Sequence, residues 1–186
     1  MADTDLATLA QVKQHLNIPS GTTTHDSELS AFIEAMTAVV EQITGPVVLQ
    51  QVVERHHGGQ RHITLLRPPV ASITSVAEGG ETVAADGYVL SDAGLLYRAS
   101  GRWYPGTSNI EVTYQAGRVA ATADVPASIR HAALELLAVN WRPQQGGNFG
   151  PFDSGGAGEG TVRLGFFVPN RVVQLCAPYQ MWAGVL

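Results

Sequence analysis

The sequence predicts an α+β protein: a small helical bundle with an inserted antiparallel β-sheet and an extended C-terminal arm. Three observations predict it. Apolar residues recur at spacings of three and four between residues 9 and 44 and again between 126 and 141. The period falls to two between 47 and 117, where β-branched residues sit between turn signals. A glycine-rich run, 143–160, then separates this part from a second apolar stretch, 161–186. With 186 residues, 45% hydrophobic and 15% charged, the chain suits one real core with extensions, and no apolar run reaches the ~18 residues of a membrane span.

Thr8 and Gln11 have capping-box spacing and open a helix over 9–17, with Leu9, Val12 and Leu16 as its stripe. A longer helix, 26–44, can be capped by Thr24 or Asp26; it carries Leu29, Phe32, Ile33, Met36, Val39, Val40 and Ile43 on one face and stops at Gly45 and Pro46. In the β region "VVLQQVVER" leads into "HHGGQRH", read as a hairpin turn to "ITLL". "RPPV" redirects the chain into "ASITSVAE", "EGGE" is a tight turn, and "YVL", "SDAG" and "LLYR" make a further hairpin. "NIEVTYQAG" puts Ile110, Val112 and Tyr114 on one face. The expectation is one sheet of five or six strands over 47–117, packed on one face and wet on the other. Pro126 opens a third helix, 126–141, whose inner face is Ile129, Ala133, Leu136, Leu137 and Asn140, with Trp141 at its end.

Residues 1–142 therefore form the core, 143–160 a linker, and 161–186 a docking arm. In the arm "VRLGFFV" reads as a strand, and Pro169 can start a short helix through Cys176 that Pro178 ends. An apolar segment beyond a flexible tether docks either on its own domain or on another chain. Val162, Leu164, Phe166, Phe167, Val168, Leu175, Tyr179 and Trp182 are the expected anchors, because large apolar and aromatic side chains carry most interface energy.

The net charge of -5 is unevenly placed. Residues 1–45 hold Asp3, Asp5, Asp26, Glu28, Glu34 and Glu41 against Lys13 alone, whereas acids and arginines balance after residue 46. Such a distribution argues against a grip on nucleic acid, which needs clustered cations to release phosphate counterions. An acidic start without a basic n-region and apolar h-region argues for synthesis in the cytoplasm. The single cysteine, Cys176, excludes an intrachain disulfide and a thiolate metal cluster, and beside Leu175 it reads as a small buried residue.

Catalysis finds no motif. The nucleophile elbow G-x-S-x-G is missing, and a phosphate loop ending in G-K-[ST] is impossible where Lys13 is the only lysine. His56, His57 and His62 flank the "HHGGQRH" turn; adjacent His56 and His57 point to opposite faces, so one at most could join His62 on a metal. A metal hydrolase using His57 and His62 is a third reading, and no cofactor is expected. His131 reads as a surface or interface side chain. The exposed-looking loop "SGRWYPG" offers Trp103 and Tyr104 as the platform of a carbohydrate- or surface-binding β module, the alternative to an assembly role.

The order "LAQVKQHLNI", "DSELSAFIEAMTAVVEQITG", "VERHHGG", "LLRPPVASITSV", "VTYQAG" and "VPASIRHAALELLAVNW", followed by "VPNRVVQLCAPY", resembles the head-tail connector, or adaptor, proteins of long-tailed bacteriophages. The resemblance runs through residues 6–141 and the tail, and none of its segments is a catalytic motif. It implies a virion protein in which copies, usually twelve in that family, form a ring below the portal that prolongs the DNA channel. Implied partners are other copies, the portal, and the next connector or tail-completion protein; DNA passes without sequence-specific binding, and no membrane is involved. It further implies that the arm reaches a neighbouring subunit or the portal. The acids Asp26, Glu28, Glu34 and Glu41 fit a channel wall from which DNA is repelled.

Overall fold

A computed structural model of the protein describes residues 4–141 and 168–180. Helix α1, Leu9–His15, is opened by the expected capping box: Gln11 N donates to the Thr8 hydroxyl and Thr8 N donates to the Gln11 side chain. It ends two residues earlier than predicted because Leu16 caps it and Asn17 takes a φ of 59°. Lys13, only 6% exposed, folds over the following loop; its ammonium donates to Thr22 O at 2.8 Å and pairs with Asp26 at 2.6 Å. That pairing turns the Asp26 carboxylate away from the start of helix α2, Asp26–Thr44, whose capping residue is His25 without any side-chain cap. Neither Thr24 nor Asp26 caps α2 as predicted. Its buried face is Leu29, Ile33, Met36, Thr37, Val40 and Thr44, and Gly45 ends it at a φ of 71°, where a Cβ would collide with the Pro68 carbonyl.

Between the helices lie seven strands in two antiparallel sheets, not one. The first sheet has the order β1 (Gln50–His56), β7 (Ile110–Ala116), β3 (Val70–Glu78), β4 (Glu81–Thr82); the second has β2 (His62–Thr64), β6 (Leu95–Arg98), β5 (Tyr88–Leu90). The predicted turns at Gly79–Gly80 and between β5 and β6 form as expected. The "HHGGQRH" segment does not form a hairpin. It passes from one sheet to the other, while β1 pairs with β7 in unbroken register from Gln50↔Ala116 to His56↔Ile110. Gly58 is needed there for close approach: a Cβ on it would overlap the Tyr104 backbone. The inner faces of the two sheets enclose a core of Ile63, Leu65, Val76, Leu96, Trp103, Ile110, Val112 and Tyr114.

Helix α3, Ala127–Trp141, buries Ile129, Ala132, Ala133, Leu136, Leu137, Ala138 and Trp141. Pro126 precedes its first turn and accepts from Arg130 N. Trp141 packs edge-on against Phe32 and His25, with centroids 5.3 and 5.8 Å away. Helix α4, Asn170–Cys176, and a following 3-10 turn, Ala177–Tyr179, lie against α3 and α2. Val172 and Cys176 are fully buried there, in the same core as Val12, Leu29, Val40 and Leu136. Four helices thus share one core and two sheets enclose a second.

Val172→Ala should lower stability by about 1–3 kcal/mol, through lost burial and a cavity between α4 and α3. The neighbouring Val173→Ala, on the exposed side of α4, should change it by less than about 0.5 kcal/mol. Urea unfolding of the full chain followed by circular dichroism measures both.

Candidate functional site

The residues with the chemistry of a site are, one by one, occupied structurally. On β1 the Glu54 carboxylate accepts the Tyr114 hydroxyl at 2.7 Å, Leu66 N at 3.1 Å and the His56 ring at 3.0 Å, and the Tyr114 oxygen in turn accepts Arg67 N. Burial, and then the Glu54 carboxylate, push the Tyr114 phenol well above its ordinary range. This network pins the segment before β3 onto the first sheet. His57 leaves it: its Nδ1 accepts Ser108 N at 3.0 Å, and His62 stacks on Tyr97 in the second sheet. The three histidines point to three places, and no three potential ligands converge among the described residues.

Trp103 overturns the carbohydrate platform. It is 0% exposed, its indole N–H donates to Leu96 O at 3.3 Å, and the Arg98 guanidinium lies 5.5 Å above its ring. The ring fills the space between the two sheets, so only Tyr104, 72% exposed, remains at the surface of the loop. A stacking platform of two aromatics does not exist. Cys176 is buried as expected, and burial raises its thiol above the ordinary range.

The four acids divide. Asp26 is held by Lys13, and the Glu41 carboxylate accepts Val47 N at 3.0 Å beneath the turn that leaves α2. Glu28 lies 3.4 Å from the His25 ring on the exposed side, and Glu34 is exposed. Of the arm anchors, Val168, Leu175 and Tyr179 are partly buried against the chain's own helical core. Val162, Leu164, Phe166, Phe167 and Trp182 lie outside the described residues.

Two charged residues that sequence reasoning missed hold this C-terminal piece. Arg118, just beyond β7, donates from Nη2 to Thr44 O at 3.0 Å and to Tyr179 O at 2.9 Å, and sits 5.7 Å over the Tyr179 ring. Arg171, on the first turn of α4, reaches Glu135 at 3.3 Å, beside His131, which also faces Glu135 and the His15 ring. A lone arginine after a strand carries no sequence signal for such a role; only the fold brings its partners within reach.

With four helices, two small sheets and no convergent chemistry among the described residues, the surfaces of the molecule matter more than any cleft. The sequence profile of the family described as head completion protein, HCP, matches residues 5–145. The chain belongs to this family. No curated protein matches the chain. Among solved structures, this chain resembles a chain from the neck of a native gene transfer agent particle computed with C12 symmetry, at 19% identity and a TM-score of 0.64, covering 98% of this chain and 96% of that one. A chain from the neck of an empty gene transfer agent particle computed with C6 symmetry has 21% identity and the same TM-score, with 95% and 90% covered. A chain from the virion of the native particle gives 19%, 0.64, 95% and 90%. At these identities the likeness carries the fold, and it extends over nearly the whole of each chain.

Two outcomes follow for the occupied groups. Arg118→Met should make the C-terminal segment about 5- to 10-fold more sensitive to limited proteolysis, since two carbonyl acceptors lose their charged donor. Burial raises the Glu41 pKa above its ordinary 4.5, so the folded chain binds that proton more tightly than the unfolded one and loses stability as pH rises past 4.5. Glu41→Gln keeps an acceptor for Val47 N and removes this penalty, so its stability relative to the unsubstituted chain, followed by urea unfolding, should improve from below pH 4.5 to neutrality.

Proposed function

We propose that the protein is a non-catalytic structural subunit of a head-tail connector ring in the neck of a phage-like particle. In this reading the ring sits below the portal, prolongs the DNA channel and provides the platform on which the tail attaches. The observation that carries it is the family match across the helical core and both sheets, together with a fold shared over nearly the full length with neck chains of particles treated with C12 and C6 symmetry. Other copies of the chain, the portal, and the next connector or tail-completion protein are its partners, and DNA passes without sequence-specific binding.

Two features of the molecule bear on how such a subunit works. Glu28 and Glu34 are the acids turned to solvent, so a repulsive channel wall rests on them; Asp26 and Glu41 serve the protomer's own fold. The arm is rooted in the helical core by Val168, Leu175 and Tyr179, which leaves Val162, Leu164, Phe166, Phe167 and Trp182 as the anchors offered to the portal or to a neighbour.

Because α4 belongs to the core, removing everything after residue 141 would test stability and binding together. Co-sedimentation with purified portal should instead compare the full chain with a Phe166→Ser, Phe167→Ser, Trp182→Ser variant. The full chain is expected to pellet with portal and the variant to be at least about tenfold weaker, as loss of aromatic anchors commonly costs. A full chain that stays in the supernatant would overturn the portal assignment.

A further inference from the structure

The two sheets have four edge strands, and three of them are short: β4 has two residues, and β2 and β5 three each; β4 pairs only with Ala77 and Glu78 of β3, whose remaining edge is broken by two irregularities in its register with β7. Short edges are one of the ways in which sheets avoid pairing with other chains. β1 is different. It has seven residues without proline, glycine or bulge, in continuous register with β7 on one side, and among the described residues its other side makes no backbone hydrogen bond. Its one outward charge, Arg55, is already neutralised across the sheet by Glu111 at 2.8 Å. Beside this edge stand two of the most exposed apolar side chains of the molecule, Val53 at 58% and Leu66 at 73%, the latter held there by the bond from its amide to Glu54.

We infer that the free edge of β1 is the seat of a strand donated by a second copy of this chain, and that the strand is residues 162–167 of the donor. The inference rests on the ring reading above and names the contact between adjacent copies. The donor stretch reads Val-Arg-Leu-Gly-Phe-Phe, with apolar residues at 162, 164 and 166 as a strand with one buried face requires, and it ends where the described chain resumes at Val168. Strand addition of this kind draws affinity from main-chain hydrogen bonds and specificity from alternate side chains; Val53 supplies the apolar contact for 162, 164 and 166 on one face of β1, while Leu66, bonded to Glu54, stands over the opposite face.

A donor in a second copy follows from the direction of α4. Its first turn, at Arg171, lies by Glu135 and His131 on α3 with His15 of α1 close by, whereas its far end, at Tyr179, lies at the junction of α2 and the sheets, where Arg118 binds Thr44 O. The chain before Val168 therefore starts at the end of α4 remote from its own β1. Residues 142–161, up to roughly 70 Å if extended, supply the slack on the other side, where helix-to-helix connections commonly need 2–8 residues.

The test uses full-length chains. A Val53→Cys chain is mixed with chains carrying Val162→Cys, Leu164→Cys or Phe166→Cys, under oxidising conditions in which the buried Cys176 stays inert, and ring formation is followed by mass photometry. The expected result is a disulfide-linked pair of chains from at least one mixture, in rings, together with at least about tenfold weaker ring assembly for Leu164→Pro, which cannot complete a strand ladder. Rings that form without the cross-link, and that tolerate Leu164→Pro, would overturn the seat and leave the ring reading standing. Double variants that cross-link within a single chain only would overturn the second-copy donor. Unsubstituted protein that forms no ring with or without portal would overturn the ring reading and the inference with it.

Discussion

Both cores depend on one narrow crossing, where the chain enters the sheets at Val47–Leu49 and leaves them at Gly117–Val119. Val47 O accepts from Arg118 N at 2.7 Å and from Val119 N at 3.0 Å, and Leu49 N donates to Val119 O at 2.8 Å. The two strands approach so closely that a Cβ on Gly117 would sit 2.8 Å from the Leu49 and Val48 backbone, and the φ of 135° there is one that a side chain would strain. Closing a loop of nearly seventy residues is entropically affordable because the penalty grows only logarithmically with length. What the crossing provides is a hydrogen-bonded junction between the two cores, with Val47 and Val48 buried on the helical side and Ala116 on the other.

The same crossing determines where the C-terminal segment ends. Arg118 projects from it to both Thr44 O and Tyr179 O, so a single guanidinium ties the end of α2 to the last turn of the described chain. Burial lowers the pKa of this arginine from its ordinary value, yet the carbonyls it satisfies would otherwise lose partners. The C-terminal segment is thus held by the same crossing that joins the helices to the β-layer.

Much of this was legible in residue order. The capping box of α1, the Gly45–Pro46 stop, the α3 stripe and the Pro169 start of α4 are local signals, and local backbone physics honours them. Ile110, Val112 and Tyr114 alternate in the sequence and are buried in the fold for the same reason. Local misreadings moved only the ends of α1 and α2; the larger failures are long-range. "HHGGQRH" carries the composition of a hairpin, but its Gly58 answers to Tyr104, a residue distant in sequence, and the strand it follows pairs with β7. Trp103 beside Tyr104 reads as an exposed pair, whereas the bond from its indole to Leu96 O draws it between two sheets whose existence no local pattern announces. No residue type declares whether Val172 and Cys176 are buried by their own chain or another; only the packing of α4 on α3 tells.

Lys13 has a consequence for how the surface meets its surroundings. The chain has one lysine and ten arginines, and that lysine is enclosed by Asp26, Thr22 O and Ser20 O. Side-chain primary amines are therefore withdrawn from the described exterior, and its side-chain positive charge is carried by guanidinium groups and by histidines when protonated. Such an exterior is nearly silent to acylating reagents and to enzymes that modify lysine, and it meets anionic neighbours through planar, forked donors in place of mobile point charges.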